Sequence, residues 1–243
     1  MPSLADAMVS AMPAFLSARW EHLILASFPV PARLLAPRLA PGLELDLFEG
    51  SPYVSLVGFM FLGTRVLGVP WPGYRDFPEI NLRFYVRRGD ERGVMFVREF
   101  VPLKLVAQVA RLLYNEPYAA APMSGAVSRE PDALRVTYGL ELAGRRHTLT
   151  CEADPTCATP GPESAEAWFK EHSWGYGRDR AGRLLRYEVR HPAWAVYPVR
   201  WVTIDLDWAA VYGPEWAWLA GRTPASVVLA AGSDVTVHPY GRL

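Results

Sequence analysis

Lysine is nearly absent from this chain. Of 25 basic residues in 243, only Lys104 and Lys170 are lysines, and the rest are arginines. A coding bias toward arginine needs no functional cause, but it makes a lysine in a special place worth attention. Cysteine is as rare: Cys151 and Cys157 are too few for a structural zinc site, and their spacing is not that of a C-x-x-C redox pair. Reduced thiols and a cytoplasmic location are therefore expected. Net charge is also missing, because 25 Asp+Glu balance 25 Lys+Arg, and no basic run interleaves with aromatics. Nucleic acid, which is held by clustered cations that release counterions, is not an expected partner.

The apolar run Tyr53–Leu62 is too short to cross a bilayer as a helix, so no membrane partner is expected either. Met1–Met12 carries Asp6 and lacks a basic start, so no signal peptide is expected. Gly175-Tyr176-Gly177 has no third glycine, and no G-x-S-x-G, P-loop or H-E-x-x-H occurs. His22, His147, His172, His191 and His238 have no metal-ligand spacing. No cofactor and no metal are expected.

What is present is β-pattern. Glu79–Val86 alternates strictly: Glu79, Asn81, Arg83 and Tyr85 are polar or polar-tipped, whereas Ile80, Leu82, Phe84 and Val86 are apolar. A period of two predicts a strand with one packed face and one face carrying chemistry or water. Gly89–Gly93 reads as a turn, and Val94–Val101 as the second strand of a hairpin that brings Arg98 and Glu99 alongside. Further strands are expected at Arg19–Phe28, Leu43–Phe48, Tyr53–Leu67, Tyr118–Val127, Ala133–Leu142, Arg145–Glu152, Ser173–Tyr176, Leu184–His191, Val196–Leu206, Ala225–Ala230 and Asp234–Val237. The clearest helix is Pro102–Asn115, with proline in its first turn and one polar stripe through Lys104, Gln108, Arg111 and Asn115. Short helices are expected at Leu4–Met12, Pro31–Leu39 and Glu163–Glu171, and in parts of Trp208–Leu219. Many strands and few helices predict a mainly β (α+β) chain: one antiparallel β-barrel domain over residues 1–243, with flanking helices and residues 1–14 as a helical extension.

Several segments resemble the domain of unknown function 2071 family (YqjF-like). They are Phe15–Leu23 with Pro31–Asp46, Asp76–Val86, Arg98–Pro102, Tyr114–Tyr118 through Pro122-Met123, Glu171–Tyr176, and His191–Trp194. They run in order over most of the chain. That family is similar in fold to acetoacetate decarboxylase, a β-barrel with a water-poor interior and a Schiff-base lysine activated by desolvation or a neighbouring cation. In the decarboxylase a lysine pair follows a proline shortly after Arg-Glu. Here Arg98-Glu99 is followed by Pro102-Leu103-Lys104, with leucine at one lysine position and a shorter spacing. The resemblance makes Glu79 the cavity glutamate and Arg19 a candidate cavity arginine.

The catalytic candidates are thus Glu79 and Lys104, and the ligand-binding candidates are Arg19, Asn81, Arg83, Glu99 and Glu116. Each has a plainer reading. Lys104 on its polar stripe is a solvated lysine, and the Glu79/Asn81/Arg83 row is a wet strand surface with a weak ion pair. The leading expectation is a barrel that binds a small oxygen-bearing metabolite in its interior, with lyase-like acid–base chemistry at Glu79. The alternative is a binding or sensor module that has lost the nucleophile. Self-association through the aromatic Trp208–Trp218 stretch, as a homo-oligomer, stays open.

Overall fold

The computed structural model describes residues 14–113, 117–239 and 241–242. The strands in chain order are β1 (Leu16–Pro29), β2 (Glu44–Leu45), β3 (Tyr53–Val66), β4 (Phe77–Arg88), β5 (Glu91–Val101), β6 (Tyr118–Ala120), β7 (Met123–Arg129) and β8 (Leu134–Leu142). They continue with β9 (Arg145–Ala153), β10 (Trp174–Arg178), β11 (Leu184–Arg190), β12 (Val196–Tyr197), β13 (Val199–Asp205), β14 (Ser226–Val237) and β15 (Gly241–Arg242). The α-helices are α1 (Ala32–Leu35), α2 (Lys104–Leu113), α3 (Ala165–Lys170) and α4 (Trp208–Tyr212), with short 3-10 turns at Ala36–Arg38 and Pro214–Leu219. The expected helix over Leu4–Met12 lies outside the described residues.

The expected mainly β chain is what the structure has. The larger sheet runs β14-β1-β3-β4-β5-β10-β11, and a β11–β14 pairing brings it back to its start, so the strands form a ring. The expectation of a purely antiparallel sheet needs correction: β5 pairs in parallel with both β10 and β6. Gly93 sits at the β5–β10 seam, where a Cβ would lie 2.5 Å from the Trp174 carbonyl oxygen and 2.6 Å from the Tyr176 ring. Only a residue without a side chain lets the two strands come together there.

The alternation in β4 sorts its two faces. Ile80, Leu82, Phe84 and Val86 are buried outside the ring against a second, four-stranded sheet, β13-β9-β8-β7, represented by Val136, Tyr138 and Leu149. Leu82 and Phe84 are fully buried, and each contributes about 2–3 kcal/mol by leaving water. Trp208 and Trp216 belong to this core too, so these two rings of the aromatic stretch pack inward.

Two prolines divide segments that read as single strands. Pro122 ends the run from Tyr118, leaving β6 on the ring and β7 in the second sheet. Pro198 does the same after Val196: β12 pairs with β14, and β13 with β9. Proline has no N–H to continue a ladder, and the chain changes sheets at these points.

Inside the ring, one end is stoppered by α3. Phe169 packs on Tyr53 and Tyr85, with Phe48 and Trp168 completing the aromatic plug. Tyr85 hydrogen-bonds to Ser55 and donates to the Phe169 carbonyl at 3.2 Å, while Ser55 meets Ser27 at 2.6 Å. α3 itself starts on Ser164, whose hydroxyl accepts from the Ala167 amide at 3.1 Å.

Candidate functional site

Above the plug the ring holds a cavity of about 440 Å³ that opens to the surface beside the exposed Trp71 and Leu105. Its walls are mostly apolar, with Trp20, Phe59, Phe61 and Phe77 prominent among them. The polar face of β4 enters this space: Glu79, Asn81 and Arg83 all line it, with Glu99 beside them. Glu79, Asn81 and Glu99 are each 2–3 % exposed, so they are not a wet strand surface.

Strand register explains why these groups meet. Asn81 lies opposite Glu99 across the β4–β5 ladder, and the parallel β5–β6 pairing sets Tyr118 beside Glu99. Asn81 Nδ2 donates to Glu79 Oε1 at 2.8 Å, and the Tyr118 hydroxyl donates to Glu79 Oε2 at 3.0 Å. Burial pushes the Glu79 carboxyl up to about 7, against the opposing pull of its hydrogen bonds to Asn81, Tyr118 and Glu99. Burial, with the two neighbouring carboxylates, holds the Tyr118 phenol well above its usual value, so it stays a donor. Asn81 Oδ1 is buried without a hydrogen-bond partner among the described residues.

A bulge after Leu82 puts Leu82 opposite Arg98 and Arg83 opposite Phe96. It leaves Arg98 on the outer side, where Nη1 donates to the Val211 carbonyl in α4 at 2.9 Å, and Glu99 on the cavity side. Arg83, four residues along from Glu79, is half-buried and donates through Nη2 to the Phe169 carbonyl near the end of α3 at 2.8 Å.

Two expected site residues lie elsewhere. Arg19 is turned outward and exposed, with Nε on Glu21 at 2.5 Å and Nη1 3.7 Å from Asp234. Ala18 and Trp20 take the inward positions of this stretch of β1, which leaves Arg19 facing away. Lys104 is exposed at the start of α2 and does not line the cavity, although its neighbours Leu105 and Val106 do. A lysine outside the cavity cannot reach a ligand bound within it. Glu116 lies outside the described residues.

Sequence reasoning assigned no role to Tyr118, Lys170, His172, Tyr187 or His191, which also line the cavity. Lys170 is the one with an available signal, because a lysine is uncommon here. It is 2 % exposed and ion-paired with Glu171. Glu171 Oε1 also accepts from the Trp194 amide at 3.3 Å, and Glu171 Oε2 lies 4.0 Å from His191 Nδ1. The His191 ring stacks on Trp194 with centroids 3.9 Å apart.

A strand ring around an apolar, acid-bearing cavity places the protein in the acetoacetate-decarboxylase-like fold. Acetoacetate decarboxylase from Legionella pneumophila aligns with a TM-score of 0.63 over 95% of this chain and 87% of that one, at 16% identity. The enduracididine biosynthesis enzyme MppR complexed with pyruvate aligns with a TM-score of 0.63 over 96% and 91%, at 12% identity. At these identities the likeness concerns the fold alone. In sequence, the model of the DUF2071 family, described as an uncharacterised conserved protein, matches residues 17–234. The uncharacterised protein YqjF of Bacillus subtilis (strain 168) is 33% identical over 179 residues, 72% of each chain. The chain belongs to the DUF2071 family.

No helix among the described residues is long and apolar enough to cross a membrane, and no group of three or more metal-ligating side chains gathers among them.

Proposed function

We propose that the cavity binds a small oxygen-bearing molecule and that Glu79 moves a proton to or from it. The observation that carries this reading is Glu79 buried at the wall of a mostly apolar cavity with Glu99 beside it, where burial pushes its carboxyl up to about 7. A group with a pKa near the working pH both gives and takes protons well, which suits general acid–base catalysis. Tyr118 supplies a second donor, Asn81 Oδ1 an open acceptor, and Arg83 a charge to polarise a carbonyl or carboxylate. The fold neighbours include a decarboxylase and an enzyme bound to pyruvate, which supports a carbonyl compound as ligand and lyase-like chemistry as the reaction class.

A second reading is a binding or sensor module without turnover. It is favoured by the exposure of Lys104, which leaves no desolvated amine at the position indicated by the decarboxylase pattern.

One assay separates the two. Keto acids and simple ketones are incubated with the protein in heavy water, and exchange of protons next to the carbonyl and release of carbon dioxide are followed by NMR. Acid–base catalysis predicts exchange or release with at least one compound, and a loss of about a hundredfold in Glu79→Gln. Binding without exchange favours the module. Absence of both binding and exchange across the set overturns both readings.

A further inference from the structure

The proton chemistry of Glu79 leaves one corner of the cavity unused. His172 follows α3, is 7 % exposed and lines the cavity. Its ring is held between Tyr85, centroids 4.9 Å apart, and Trp168, at 5.7 Å. Neither ring nitrogen has a hydrogen-bond partner among the described residues. A buried imidazole with both nitrogens unmet is costly, and native interiors keep such groups where something else satisfies them. Burial holds His172 well below its usual pKa, reinforced by the cationic Arg83 and Arg92 and by His191. The ring is therefore neutral and offers one N–H and one lone pair.

Arg83 shares this corner. Its Nη2 is used by the Phe169 carbonyl, but its buried Nε has no partner, and it makes no ion pair among the described residues. The neighbouring cations are already matched: Arg92 with Asp46 at 2.6 Å, and Lys170 with Glu171. A half-buried guanidinium at the wall of an apolar cavity, with no carboxylate of its own, is the cation an anionic ligand would meet.

We propose that Arg83 and His172 form an anion-recognition corner that takes a single carboxylate. One oxygen accepts from Arg83 Nε and the other from a His172 N–H. This rests on the reading of the cavity as a ligand site and deepens it. One free cation and a neutral ring match one negative charge. A phosphate dianion would leave a second charge uncompensated in apolar surroundings, which is expensive. Arg83 and Glu79 are four residues apart on one face of a strand, about 13 Å between Cα atoms. The side chains of the two corners therefore approach one ligand from different ends: the carboxylate held at Arg83/His172, and the rest of the molecule reaching toward Asn81 and Glu79.

The test uses matched acid–amide pairs of equal shape, benzoate with benzamide and 4-methylpentanoate with its amide, titrated calorimetrically into the whole protein. The acid is expected to bind about tenfold or more tightly than its amide. His172→Phe, which keeps the ring packing between Tyr85 and Trp168, and Arg83→Gln should each erase that preference by weakening the acid far more than its amide. Urea unfolding of each variant serves as the folding control, and Arg83→Lys, which keeps the charge, should restore part of the preference. Equal affinity for acid and amide in the unaltered protein, or a preference that survives both variants, overturns the corner but leaves the ligand site standing. Failure of every acid and every amide to bind overturns both.

Discussion

Replacing Glu79 by glutamine is the most informative perturbation, because the outcome depends on pH in a direction set by burial. In the folded protein the carboxyl titrates at about 7, against 4.5 for an unperturbed glutamate. Over the interval between those values the native state holds a proton that the unfolded chain has released. The stability supplied by this proton is full below the unfolded value and is lost as pH rises through the folded one. At 1.36 kcal/mol per unit, the raised pKa corresponds to about 3 kcal/mol. Glutamine resembles the neutral acid: its carbonyl can accept from Asn81 or Tyr118, and its amide can donate to Glu99. The variant should therefore lack this slope. Urea unfolding of both proteins between about pH 4 and about pH 8 should show the variant gaining roughly 3 kcal/mol relative to the parent across the interval. His172, held below its usual pKa, works in the opposite sense: its stability is present above the unfolded histidine value and is lost as pH falls. It is present in both proteins and largely cancels in the difference. Parallel stability curves would refute the claim that Glu79 is buried as an acid.

Lys170→Met removes the partner of Glu171. A fully buried pair would cost about 3–5 kcal/mol to break, but Glu171 is 32% exposed, so urea unfolding should report about 2 kcal/mol. Gly93→Ala drives a Cβ into the Trp174 carbonyl at the parallel seam, and a loss of about 2–3 kcal/mol is expected, with faster amide exchange in β10 than in β14. Cys151 is fully buried and its thiol is pushed up to about 12 by burial, with Glu152 adding to it, while Cys157 is half-buried. A chromogenic disulfide reagent should titrate only Cys157 in the native protein and both thiols in urea.

How far the sequence was readable depended on whether a signal was local. The alternation of Glu79–Val86 is local, and it is enough to separate the two faces of β4 without showing what either face meets. The family resemblance, carried by ordered segments, supplied the fold. Other features depended on the path of the chain. Ala18 and Trp20 point into the ring ahead of the β1 bulge, whereas Leu23 and Leu25 do so after it, so the inward parity changes and the position of Arg19 could not be read from spacing. Tyr118–Val127 and Val196–Leu206 read as continuous strands by composition, and Pro122 and Pro198 are the local marks of one sheet handing over to another. Lys104 fitted a motif, and its exposure follows from how α2 lies on the ring. Lys170 and His172 reach the cavity only because α3 plugs the ring, and a six-residue helix carries no periodicity that would indicate it.

The central claim is that Glu79 holds a proton inside a cavity that admits a small oxygen-bearing molecule. Carbon NMR of the protein labelled at its glutamate carboxyl groups tests it most directly. One resonance, missing in Glu79→Gln, should titrate near 7 and should shift when pyruvate is added. Glutamate carboxyls that all titrate in the ordinary range, with none responding to pyruvate, would contradict the account.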